Sequence, residues 1–123
     1  MKIIERQEAG FREKPEGDKT YYYLFDDYEV MMTEQPPHSE QAWHHHEIIW
    51  ETIYIVEGEL RVLWREGDEE KSRMVYAGDL LETEQSSHTF RNESASVVKL
   101  MAIKHIRSDQ NYHEVFKSDK VLD

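Results

Sequence analysis

Apolar and polar positions along this chain alternate with period two more often than they recur at helical spacing, which predicts strands rather than helices. Thr20 to Phe25 is aromatic-rich, Asp26-Asp27 interrupts it, and Tyr28 to Thr33 resumes the pattern before Pro36-Pro37 ends it. Further strands are expected over Glu51 to Val56, Leu60 to Arg65, Lys71 to Ala77 and Val97 to Ile106. Glu57-Gly58-Glu59, Glu66-Gly67-Asp68 and Gly78-Asp79 punctuate them as turns, and the acidic run Glu66 to Glu70 reads as a solvated hairpin tip. Short strands at regular spacing predict an all-β sandwich or barrel. Helical spacing is confined to the chain ends, in particular Asn111 to Lys117. Residues 1–19 read as an N-terminal arm or edge strand and residues 107–123 as a polar C-terminal tail.

Composition narrows the function classes. The 123 residues are about one domain's worth of chain. The net charge is −11, and protonating all seven histidines still leaves the chain negative, so nucleic acid and anionic membrane are not expected partners. Cysteine is absent, which removes disulfides, thiolate nucleophiles and cysteine-based zinc sites together. No apolar run has the length of a signal peptide or a membrane span, and a cytoplasmic location is expected.

In a chain without cysteine, imidazole and carboxylate are the natural donors for a divalent transition metal. Trp43-His44-His45-His46 is followed by Glu51 and Gly58, and later by His88-Thr89-Phe90-Arg91-Asn92. Alternate residues of a strand share a face, so His44 and His46 point together and His45 points away, to the surface or an interface. Glu51 lies at an odd offset from His46. If it joins them, the chain must turn or bulge within Glu47 to Trp50, and His88 must arrive from a third strand. Three imidazoles and one carboxylate leave two open positions on a six-coordinate metal; a closed tetrahedral zinc site is the alternative for the same donors.

These residues resemble the signatures of the cupin superfamily, in particular its small single-domain members. His44, His46, Glu51 and Gly58 match the first signature, His-x-His-x3–4-Glu-x6-Gly. His88 and Asn92 match the end of the second, His-x3-Asn, after the pair Gly78-Asp79. The resemblance covers roughly residues 20 to 106. It implies a double-stranded β-helix, a jelly-roll barrel, with His44, His46, Glu51 and His88 as metal ligands and Asn92 as a structural residue at a strand end. Two positions depart from the pattern. His38 stands where the family usually has Gly, and Thr83-Glu84-Gln85 stands where it usually has Pro-x-Gly.

The reading is therefore one cupin domain over residues 1–123, holding iron, manganese, nickel, copper or zinc and acting on a small organic molecule, with dioxygenase chemistry the leading expectation. A metal-dependent isomerase or lyase, or a binding module without catalysis, are the alternatives. Trp43, Trp50, Ile53 and Ile55 are expected in the core, with pocket lining the other reading; Arg91 and Tyr54 are candidates to orient a substrate. His38, His105 and His113 are background, and a homodimer is expected.

Overall fold

The computed structural model describes residues 1–107 and 111–123. Among these described residues twelve strands form two antiparallel sheets: β1 (Gly10–Glu13), β2 (Lys19–Leu24), β3 (Tyr28–Gln35), β4 (Ser39–Glu40), β5 (His44–His46), β6 (Ile49–Glu57), β7 (Glu59–Glu66), β8 (Glu69–Tyr76), β9 (Leu80–Glu82), β10 (His88–Asn92), β11 (Val98–Ile106) and β12 (Lys120–Leu122). One sheet runs β1-β2-β3-β11-β6-β9. The other runs β12-β5-β10-β7-β8, with β4 also on β10. This is the jelly roll expected from the sequence. One helical turn, α1 (Tyr112–Val115), falls inside the predicted Asn111 to Lys117. Among the described residues no helix is long and apolar enough to cross a membrane.

Strand register sorts the interior into rows, because residues directly opposite one another project to the same face. In the first sheet Tyr22, Met31, Ala102, Ile53 and Leu81 form one row, and Thr20, Thr33, Leu100 and Ile55 the next. Phe90 and Val62 meet them from the second sheet, and with Leu60, Val75 and Val98 they make the core. The last row toward one end of the barrel is charged: Glu29, Lys104 and Glu51 stand abreast on β3, β11 and β6. Opposite it, the second sheet presents His44, His88 and Trp64.

Both ends of the chain join the sheets. β1 is an edge strand on β2, one of the two forms expected for residues 1–19. The expected polar tail contributes β12, which pairs with β5 and so lies beside the histidines. The Glu66–Glu70 run is the β7–β8 hairpin tip. Gly58 turns β6 into β7 at φ +93°, a conformation that strains any side-chain-bearing residue, and a Cβ there would stand a crowded 3.1 Å from Val98 Cγ2.

Candidate metal centre

The chain bends at Glu47-Ile48, leaving β5 in one sheet and entering β6 in the other. That bend is the turn which the odd spacing between His46 and Glu51 requires, and it brings Glu51 to face the histidines across the barrel. His44, His46, Glu51 and His88 are all at least 95% buried. The His44 ring centroid lies 4.5 Å from that of His88 and 5.6 Å from that of His46. His88 Nε2 is 3.7 Å from Glu51 Oε1. The structure thus gathers all four predicted residues at one place.

The rings are oriented by their backbone. His44 Nδ1 lies 2.8 Å from the Ala42 carbonyl oxygen, and His88 Nδ1 lies 2.8 Å from that of Ser86. A carbonyl oxygen only accepts, so each Nδ1 carries the proton and each Nε2 keeps its lone pair. His46 Nδ1 is 3.3 Å from Asp119 Oδ2 but does not hydrogen-bond to it. Both ring nitrogens of His46 and Nε2 of His88 are buried without a hydrogen-bond partner among the described residues. In a neutral His46 one of the two nitrogens is an acceptor, as is His88 Nε2; buried acceptors without partners are costly, and a cation would satisfy them.

The electrostatics prepare the same state. Burial, then the neighbouring His88, pushes His44 down to about 3; burial takes His46 down to about 4. Burial alone would raise Glu51, but Lys104 foremost, and then the three imidazoles, hold its carboxyl well below the usual range. Neutral rings beside an ionised carboxylate are the protonation states that a divalent metal needs. The donor set therefore fits such an ion. The shell is not closed as the side chains stand: among the described residues no three donors already surround one point, and Lys104 Nζ lies 3.4 Å from Glu51 Oε2.

Three residues here escaped the sequence reading. Lys104 is a charge on the inward, otherwise apolar face of β11, a break in alternation that was available as a signal, and Glu29 is a charge on the inward face of β3, which also carries Thr33 and Gln35. Burial would lower Lys104, yet Glu51 and Glu29 outweigh it and hold the ammonium above its ordinary range. Glu29 also accepts from the buried Tyr112 hydroxyl at 2.7 Å. The third is Asp119, whose carboxylate accepts from the backbone N–H groups of Ile48 (2.7 Å), Ile49 (2.9 Å) and Glu47 (3.3 Å), fastening the bend between β5 and β6. No local pattern marks it.

Other expectations are corrected. Ile53 and Ile55 are core, but Trp43 and Trp50 are partly exposed, with the guanidinium groups of Arg65 and Arg107 stacked on them at 4.2 and 3.8 Å. Tyr54 is exposed on the outer face, and Arg91 pairs with Glu40 at the surface, so neither orients a substrate inside. His45 faces outward and meets Asp123 at 2.8 Å, as its surface assignment requires. Asn92 is wholly buried. Its amide donates to the carbonyls of Gln35, Pro36 and Ser96, and its oxygen accepts from Ser94, locking the β10 end. A cleft of about 670 Å³ opens between β8 and β9 and reaches His88, Phe90 and Trp64.

Comparison with known proteins agrees with this fold. A formate complex of oxalate decarboxylase from Lactobacillus farciminis superposes with a TM-score of 0.76 and 16% identity, over 97% of this chain and 35% of that one. A cupin-superfamily sugar phosphate isomerase from Silicibacter pomeroyi gives 0.70 and 14%, over 89% and 83%. The iron(II) form of HppE gives 0.68 and 14%, over 85% and 60%. This chain spans about a third of the length of the oxalate decarboxylases it matches, and at these identities the likeness is one of fold. No curated protein sequence matches it. A family model described as the Cupin domain matches residues 31–104, a span that holds all four converging side chains, and the chain belongs to the cupin family.

Proposed function

We propose that His44, His46, Glu51 and His88 hold one divalent transition metal and that the protein acts on a small organic molecule entering through the cleft beside His88. The observation that carries this reading is the set of buried imidazole nitrogens left without partners next to an ionised carboxylate. Iron, manganese, nickel, copper and zinc all suit such donors, which select by geometry and supply more than by affinity. When bound, the ion would supply open positions for substrate and, in the dioxygenase reading we favour, for dioxygen. The protein's own part is to hold His44 and His88 in one tautomer, to keep Glu51 ionised and to admit substrate through a cleft of ordinary ligand-site size.

One observation favours a second reading, metal-dependent isomerase or lyase chemistry. Glu29 and Glu51 place two inward carboxylates on either side of Lys104 beside the imidazoles, a pair that an oxygenase does not require. Elemental analysis of the purified protein tests the metal. Oxygen uptake over a panel of phenols, thiols, diketones and sugars then separates the readings: metal-dependent uptake supports the dioxygenase, and turnover without uptake the alternative. A metal-free protein that takes up no ion when offered one would end both.

We also infer a homodimer formed through the outer face of the first sheet. There Tyr54, Met101 and Met32 lie abreast, flanked by the exposed Val56, Leu80 and Ile103. An apolar sheet face of this kind is self-complementary about a two-fold axis.

A further inference from the structure

The barrel end beside Glu51 has a feature that metal binding leaves unused. A cavity of about 30 Å³ lies against His44 and Glu51, and the side chains of Lys14, Lys104 and Lys120 line it. Such a space holds roughly one or two waters, or a single carboxylate head. Three of the chain's 15 basic residues thus meet at one small hollow in a protein of net charge −11.

Each lysine arrives by a different route. Lys104 stands in the charged row and is committed to Glu51. Lys120 is directly opposite His46 in the β12–β5 ladder and lines the hollow, although the residue as a whole remains exposed. Lys14 is carried in by the β1–β2 turn, which is closed by bonds from Lys14 N to Asp18 O (2.9 Å) and from Gly17 N to Lys14 O (2.8 Å).

Lys14 and Lys120 are not neutralised in place. Among the described residues, neither has a carboxylate within 4.0 Å. Glu16 and Asp18 of the same turn, and Glu51 across the hollow, act on them from farther away, and Asp18 is itself pushed up to about 6 by burial. Burial first, and then the neighbouring ammonium groups, lower Lys14 and bring Lys120 down to about 8. Holding cations together in partial burial is unfavourable until an anion joins them.

We propose that Lys14 and Lys120 recognise the carboxylate of a small anionic substrate and set the rest of that molecule beside His44 and Glu51. This names the substrate class of the site proposed above and rests on that reading. Ammonium groups suit the role as mobile point charges on flexible stems.

The test is a titration of propionate, with propionamide as the neutral probe, followed by NMR on zinc-loaded and on chelator-treated protein, with metal content measured in parallel. Propionate is expected to bind, and propionamide to bind roughly tenfold more weakly. Lys14→Met and Lys120→Met should each weaken propionate by a similar factor, leaving propionamide and zinc content unchanged; Lys120→Arg should restore binding. Equal propionate affinity in the wild type and both Met variants would overturn the proposal, as would propionamide binding as tightly as propionate. If zinc does not load but lysine-dependent propionate binding persists, the metal reading fails and the anion site stands. If zinc loads and the lysines have no effect, the reverse holds.

Discussion

Two of the four converging side chains are aimed by the same local device, a carbonyl two residues earlier in the chain, just before the strand, that accepts the Nδ1–H hydrogen bond. Because the orientation is built into the backbone, removing a ring should remove a donor without moving the others. His46→Ala and His88→Ala are therefore expected to lose most of their bound metal, by elemental analysis, while His45→Ala, whose ring faces Asp123 outside, retains it. The depressed His44 and His46 also link stability to pH. The unfolded chain protonates these rings near 6.5, whereas the folded one does so only near 3 and 4. Below 6.5 the unfolded state thus binds more protons, and stability present above that pH is lost as pH falls toward 4. Melting of chelator-treated protein at pH 7.5 and 4.5 should show the lower Tm at pH 4.5. Backbone strain sits close by. The non-glycine residues with positive φ among those described are His38 (52°), Glu84 (49°) and Gln85 (60°), at or beside the positions where the family signature has glycine. These left-handed turns stand on residues other than glycine, which alone adopts them freely. Hydrogen bonds compensate: Ser86 N bonds to Thr83 O at 2.9 Å, and Gln85 Nε2 bonds to Glu47 O at 2.7 Å. His38→Gly should raise stability by about 1 kcal/mol, read from denaturant unfolding.

At the scale of elements, the bend between β5 and β6 decides whether a site exists, since it carries the chain from one sheet to the other between His46 and Glu51. Its need was legible in the sequence from an odd spacing of residues. Its fastening was not, because Asp119 acts from 70 positions away on Ile49. Asp119→Ala leaves three backbone N–H groups without their acceptor, and a loss of about 3 kcal/mol is expected in denaturant unfolding. Metal affinity should fall in parallel, since the bend sets the distance between His46 and Glu51. The strands with clean alternation, β3, β6, β7 and β11, were legible from period two alone. The three-residue β9 and β12 were not, because segments so short carry no period and exist only through the strands they pair with.

Over the whole molecule, the jelly roll and the residues that meet at its end could be read in advance because the signature is dense and local. The occupants of the rest of that layer, Glu29 and Lys104, depend on which strands become neighbours. A metal that binds only the folded barrel stabilises it by mass action, so chelation should lower Tm, by the equivalent of about 3 kcal/mol where free ion stands a hundredfold above Kd. The apolar outer sheet face carries a prediction of its own. Met101→Lys should convert the proposed dimer to a monomer in sedimentation velocity without altering metal content.

β8 and β9 close neither sheet. Each is the last strand of its own, and the two borders face one another across the cleft. The seam between them can widen without breaking any ladder bond, whereas parting β11 from β3 or β6 would break a long one. Deuterium should therefore enter β8 and β9 well before β11, and a molecule travelling toward His88 would follow a path of weakly protected amides.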